Sequence, residues 1–128
     1  MTWQRTPVAA ALVDLLTAAT GGTVFVFDKP PATINPPAII VSRPSTVLYN
    51  AVAFGVDEAT LPVVIAGAMD GDDFVDALRD VIRKTVDTNP TLNGSVPACW
   101  PSSERNWRNA IVAGVDLLLA ELVLTVQM

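Results

Sequence analysis

Residues 118–128 read Leu-Leu-Ala-Glu-Leu-Val-Leu-Thr-Val-Gln-Met, and their spacing decides the fold class. Apolar side chains fall on every second position, at Leu118, Ala120, Leu122, Leu124, Val126 and Met128. Glu121, Thr125 and Gln127 interleave with them, which is the period-two pattern of a half-buried strand and not the 3.6-residue period of a helix. Upstream, Trp107 to Val115 reads as a strand that bends at Gly114, because a glycine inside a strand often marks a bulge. A short helix is the alternative there, and the chain is expected to close on a β-hairpin or a bulged strand pair. The segment Val96 to Asn106 carries Cys99, Trp100, two prolines and two serines, and reads as a surface loop.

Further from this anchor the period changes. Phe74, Ala77, Leu78, Val81, Ile82 and Thr85 recur at helical spacing. Asp70, Asp72 and Asp73 stand where a helix N-terminus favours negative charge, and Arg79, Arg83 and Lys84 lie on the polar side toward its C-terminal half. Asn89-Pro90 ends this helix and Asn93-Gly94 makes a turn. A first helix starts with Thr6 as N-cap and Pro7 in the first helical position. It presents Val8, Ala11, Leu12, Leu15, Leu16 and Ala19 on one face and stops at Gly21-Gly22.

Between the helices the chain is β-rich. Thr23 to Phe27 is β-branched and aromatic throughout and reads as a strand. Four prolines within residues 28–37 make an extended, stiff connector. Ala38 to Ser42, Thr46 to Phe54 and Thr60 to Ala66 then read as an antiparallel meander, with a turn at Gly55 to Glu58. The expected fold is α/β of the α+β type: a single domain, residues 1–128, with one small, mostly antiparallel β-sheet flanked by two main helices. The expected core is Leu12, Leu15, Leu16, Val24, Val26, Ile40, Val64, Leu78, Val81, Ile82, Leu122 and Leu124.

Composition narrows the function. The chain is 51% hydrophobic and only 16% charged, against about 25% charged in an ordinary soluble domain. The longest apolar run, Leu61 to Met69, is far below the roughly 18 residues of a spanning helix. No basic segment precedes an apolar one near Met1, so neither a signal peptide nor a membrane partner is expected. Surplus apolar surface then points to burial against other subunits, with a well-filled monomer core as the alternative. A net charge of −5 with scattered basic residues argues against gripping a phosphate backbone.

The 128 residues include no histidine. That removes Ser-His-Asp and Cys-His catalysis and the usual zinc ligand sets. Cys99 has no neighbouring imidazole to activate it and reads as a passive thiol in a reducing cytoplasm. Asp70, Asp72 and Asp73 lack the closing glutamate of a calcium loop, and Phe74 and Val75 occupy its ligand stretch. Gly21-Gly22 and Gly67 fit neither phosphate-loop pattern. No catalytic residue, cofactor or metal is expected. The residues singled out are aromatic: Tyr49 and Phe54 in the hairpin 46–59, and Trp100 and Trp107 in the segment 97–107. Trp3 also lies outside the two helices, and core packing is an equal reading for Trp107. These four, Tyr49, Phe54, Trp100 and Trp107, are the candidate subunit interface, since aromatic residues carry much interface energy. The hairpin, without an obvious helix to cover it, is expected to be mobile or extended until a neighbour orders it.

The whole layout resembles a known family. Thr6-Pro7 opens a helix, Thr-Val-Phe-Val-Phe follows at 23–27, and a proline-rich link leads to Pro-Pro-Ala-Ile-Ile-Val at 36–41. A hairpin, the helix segment Asp-Phe-Val-Asp-Ala-Leu-Arg-Asp-Val-Ile at 73–82, and Asn-Pro-Thr-Leu-Asn-Gly at 89–94 come next. The closing stretch begins Trp-Arg-Asn-Ala-Ile-Val at 107–112. Together they resemble the tail terminator and related neck or minor tail proteins of long-tailed bacteriophages. The resemblance implies a small sheet flanked by helices, six copies in a homo-hexamer ring, and a place in the virion at the head-proximal end of the tail. The ring would stop the growth of the tail tube, meet the head-tail connector, and let DNA pass without specific binding. Assembly would take place in the host cytoplasm. Six copies would carry a charge of about −30, a field that repels phosphates if it lines the lumen. A connector adaptor or tail-completion protein is the alternative, and an unrelated small binding module or carboxylate-only enzyme a more distant one.

Overall fold

A computed structural model describes residues 5–28, 35–53, 55–68, 71–112 and 114–127. The two segments with helical spacing form α1 (Arg5–Ala19) and α2 (Asp72–Thr88). The β-branched and alternating segments form β1 (Phe25–Phe27), β2 (Ala38–Val41), β3 (Thr46–Ala53), β4 (Val56–Gly67), β5 (Ala98–Val112) and β6 (Val115–Gln127). The fold is α+β, with one six-stranded sheet in the order β1-β2-β4-β6-β5. Among the described residues only β1 and β2 run parallel; the other pairings are antiparallel. Because β6 lines β4 from Glu58 to Gly67, β2 and β3 share the other edge of β4. There β3 takes its first half and β2 its second.

Strand register sorts the side chains onto two faces. Ile39, Ile65 and Ala120 form one cross-strand row, and Val41, Val63 and Leu122 the next. These rows point to the helices, where Leu12, Leu16, Val75, Leu78, Ile82 and Val86 are buried against them. The other face carries a smaller cluster around Ala38, Ile40, Ala66, Leu117 and Leu119. Both faces of β2 and of the second half of β4 are thus apolar, which is why those segments read as continuous Ile/Val runs. Among the described residues no helix is long and apolar enough to cross a membrane.

Several boundaries differ from the sequence reading, each for a physical reason. The supposed loop at 96–106 is strand from Ala98 onward. Register shifts between Pro101 and Ser103 and between Arg105 and Arg108 absorb the irregular residues without ending the pairing. Gly114 does not bend a strand but sits in a hairpin turn, with φ +79, while Val112 and Val115 pair across it. The stretch 107–115 is therefore neither one strand nor a helix. The turn expected at Gly55 to Glu58 is tighter: β4 already begins at Val56, which pairs with Ala53. Thr6 lies inside α1 and not at its cap, and β1 keeps only Phe25–Phe27 of the expected strand, although Val24 is buried. Of the expected core, Leu15, Val26, Val64 and Val81 are only half-buried. On α2 the buried face is Val75, Leu78, Ile82 and Val86, so Phe74 and Ala77 are exposed. Asp70 and Trp3 lie outside the described residues.

The joint between β4 and α2 depends on one glycine. A Cβ built on Gly67 would run into Cγ2 of Val75, a β-branched side chain held on a helix and unable to rotate clear. Gly67→Ala should therefore destabilise the protein by about 1–3 kcal/mol, the usual cost of overpacking a filled core. Combining it with Val75→Ala, which removes the obstructing methyls, should recover part of that loss relative to Val75→Ala alone. Urea denaturation of the three variants measures both effects.

Candidate assembly interface

Tyr49 and Trp100 stand on opposite edges of the sheet. The row Thr46–Thr60–Thr125–Trp100 runs from β3 through β4 and β6 to β5, three strand spacings or roughly 14 Å apart. At the β3 edge Tyr49 is 73% exposed and Leu48 53%. At the β5 edge Trp100 is 38% exposed. The sequence reading placed aromatics in two patches, and the fold separates these two by the width of the sheet. Phe54 lies outside the described residues, as does the side chain of Trp107, whose backbone belongs to β5.

The β3–β4 hairpin is held by side chains within it. Asn50 adopts φ +53, a left-handed conformation that Asn tolerates better than most residues. Its backbone N–H donates to Oδ1 of Asp57 at 3.1 Å, and its own Oδ1 accepts the N–H of Gly55 at 2.7 Å. Asp57 is buried, and its second oxygen, Oδ2, has no hydrogen-bond partner among the described residues. An acidic side chain thus fastens the turn end of the hairpin that carries Leu48 and Tyr49. The segment expected to stay mobile or extended until a neighbour orders it is, in the single chain, a hairpin already paired with β4.

The β5 edge has a different character. Arg79 of α2 pairs with Asp76 on its own helix and with Glu104 of β5 at 3.4 Å, tying the strand to the helix layer. On the face away from the helices, Arg105 pairs with the largely buried Glu121 at 3.3 Å. These pairs begin only beyond Ser103, leaving Ala98 to Ser103 without charge. A recess of about 370 Å³ beside this edge is lined by Arg83, Pro101, Ser102, Ser103, Glu104 and Leu122. Among the described residues it offers one carboxylate and one guanidinium, with no thiol or hydroxyl paired to a base.

Cys99 points into the core below the same edge. Burial pushes its thiol up to about 12, so it stays protonated at neutral pH and is a poor nucleophile. Among the described residues no group of three or more Cys, Asp or Glu side chains is placed to hold a metal ion.

Exposed large apolar residues also occur outside the two patches singled out from the sequence. Phe25, Phe74 and Ile111 are exposed as well. Phe25 stacks on Phe27, its ring centroid 6.4 Å away, on the sheet face opposite the helices. Alternation within 23–27 puts Phe25 and Phe27 on one face and Val24 and Val26 on the other, but does not reveal that no helix among the described residues covers the Phe face. No family model matches the chain, and no curated protein matches it significantly.

Proposed function

We propose that the chain is a structural virion subunit, a tail terminator of a long-tailed bacteriophage, acting as a six-membered ring. Its role is to cap the tail tube and join it to the head-tail connector, without catalysis. The observation that carries this reading is the placement of exposed Tyr49 and Trp100 on opposite edges of one sheet. A closed ring is built from heterologous contacts, in which one patch on a subunit meets a different patch on the next. Two apolar patches that do not overlap meet that requirement. The net charge of −5 supports it too, since an acidic ring lets DNA pass without holding its phosphates. The segments that resemble the tail terminator family add the number of copies and the place in the particle.

The test is the mass of the purified protein in solution, alone and with tail tubes, together with negative-stain images. Rings of six copies seated on tube ends are the expected result. Binding to portal assemblies in place of tube ends would make the protein a connector adaptor. Protein that stays monomeric with tubes present would overturn the ring.

A further inference from the structure

We infer that neighbouring copies are joined by main-chain strand pairing, the free edge of β3 at Thr46–Tyr49 in one copy lying against the free edge of β5 at Ala98–Pro101 in the next. This rests on the ring reading above and specifies how the ring is held. Among the described residues β3 pairs only with β4, and β5 only with β6. Each therefore presents unpaired N–H and C=O groups along one side, and such an edge templates another strand.

Strand direction makes the two edges compatible. Three antiparallel steps separate β3 from β5, so the two strands run in opposite senses. Repeating the unit β3-β4-β6-β5 head to tail sets each β5 antiparallel to the next β3, with no reversal at the joint. Such a joint is heterologous, as ring closure requires.

Register limits where the joint forms. In β5 the pairing with β6 is regular from Ala98 to Pro101, and the first shift follows. In β3 it is regular from Thr46 to Leu48, and the shift at the left-handed Asn50 follows. These regular stretches occupy the same cross-strand rows: Leu48 shares one with Ala98, Val47 with Cys99 and Thr46 with Trp100. Bulges blunt an edge, and Pro101 has no N–H to give, so pairing beyond these few residues is blocked. Charge favours the same place. No charged residue occurs between Arg43 and Asp57, nor between Asp87 and Glu104. Chains of net charge −5 therefore meet through their uncharged segments, with Leu48, Tyr49 and Trp100 flanking the seam.

Cysteine cross-linking tests the joint. In one chain, positions 48 and 98 lie three strand spacings apart, roughly 14 Å, beyond the reach of a disulfide. Any disulfide between them thus links two copies. The variant Leu48→Cys/Ala98→Cys, oxidised under conditions where wild-type rings are seen, should give a covalent ladder that ends at the ring. Thr46→Cys/Ala98→Cys reads a seam shifted by two residues, and a ladder from either pair supports the joint. Leu48→Cys alone and Ala98→Cys alone should give none, and wild type, with its buried Cys99, serves as the blank. Circular dichroism confirms that each variant is folded. Dimers from Leu48→Cys alone would replace this joint with a two-fold contact between β3 strands. Intact rings without a ladder from either pair would discard the seam and leave the ring. Absence of both rings and ladder in every form, wild type included, would overturn the two together.

Discussion

Tyr49→Asp and Trp100→Asp should each leave the protein monomeric at concentrations where wild type forms rings, and an equimolar mixture should stop at a dimer. The expectation follows from two different patches on opposite sheet edges. Tyr49→Asp spoils the β3 patch and keeps Trp100; Trp100→Asp spoils the β5 patch and keeps Tyr49. In the mixture one good joint forms, from the β3 edge of one variant to the β5 edge of the other. The two outer patches of that dimer are both spoiled, so growth ends. Removing a tyrosine or tryptophan hot spot costs 2 kcal/mol or more, about thirtyfold in affinity, and a buried unpaired carboxylate adds to it. The penalty falls on every joint, so it compounds around a ring. Neither change should unfold the chain, because both side chains already face solvent. Sedimentation velocity on each variant and on the mixture gives the answer. Rings from the mixture would show that the patches do not form one joint, and rings from both variants alone would remove them from the interface.

How much of this arrangement the sequence announced depends on which physical signal each segment carries. The alternation at Leu118 to Val126 and the helical spacing at Leu78 to Ile82 are periodic, and both elements form where periodicity puts them. β5 was hidden because its first half breaks the pattern. Pro101, Ser102 and Ser103 are loop residues by composition, yet an edge strand needs hydrogen bonds on one side only and accepts a proline and bulges. Its pairing with β6 is a long-range fact that no local window contains. The half-buried state of Val64, in the second half of β4, has a similar origin. Residues on that strand alternate between a face under the helices and a face with a smaller apolar cluster, so hydrophobicity alone cannot rank them.

The candidate interface was legible in type and only partly in place. Tyr49 and Trp100 were recognisable because aromatic residues outside the helical faces lacked a core partner. Their separation by the width of the sheet was not recognisable, since it follows from β4 and β6 lying between β3 and β5. The clamp from Asp57 to the backbone of Asn50 was missed for a further reason. Asn50 stands inside a β-rich run, and nothing local marks it as left-handed.

The rotational setting of α2 supplies the sharpest check on the core. Leu78→Ala should lower stability by about 2–5 kcal/mol, whereas Phe74→Ala, one turn earlier on the same helix, should change it by no more than about 0.5 kcal/mol. Helical spacing alone groups the two side chains together. In the structure Leu78 is buried among the helix and sheet residues of the main core, and Phe74 is 48% exposed. The difference arises because Val75 of α2 lies directly against Gly67 of β4, which sets Val75 toward the sheet. With Val75 fixed inward, Leu78, Ile82 and Val86 follow at three- and four-residue steps, and Phe74 is carried round to the edge of the apolar face. Deleting Leu78 leaves a cavity that the sheet cannot fill, because its strands are tied in register from β2 to β5. Replacing Phe74 removes a partly solvated ring and gains helix propensity, and the two effects nearly cancel. In thermal unfolding Leu78→Ala should melt on the order of 10–15 °C below wild type, with Phe74→Ala within about 2 °C of it. Equal losses from the two variants would mean that α2 is rotated relative to the sheet, with Phe74 and not Val75 facing the core.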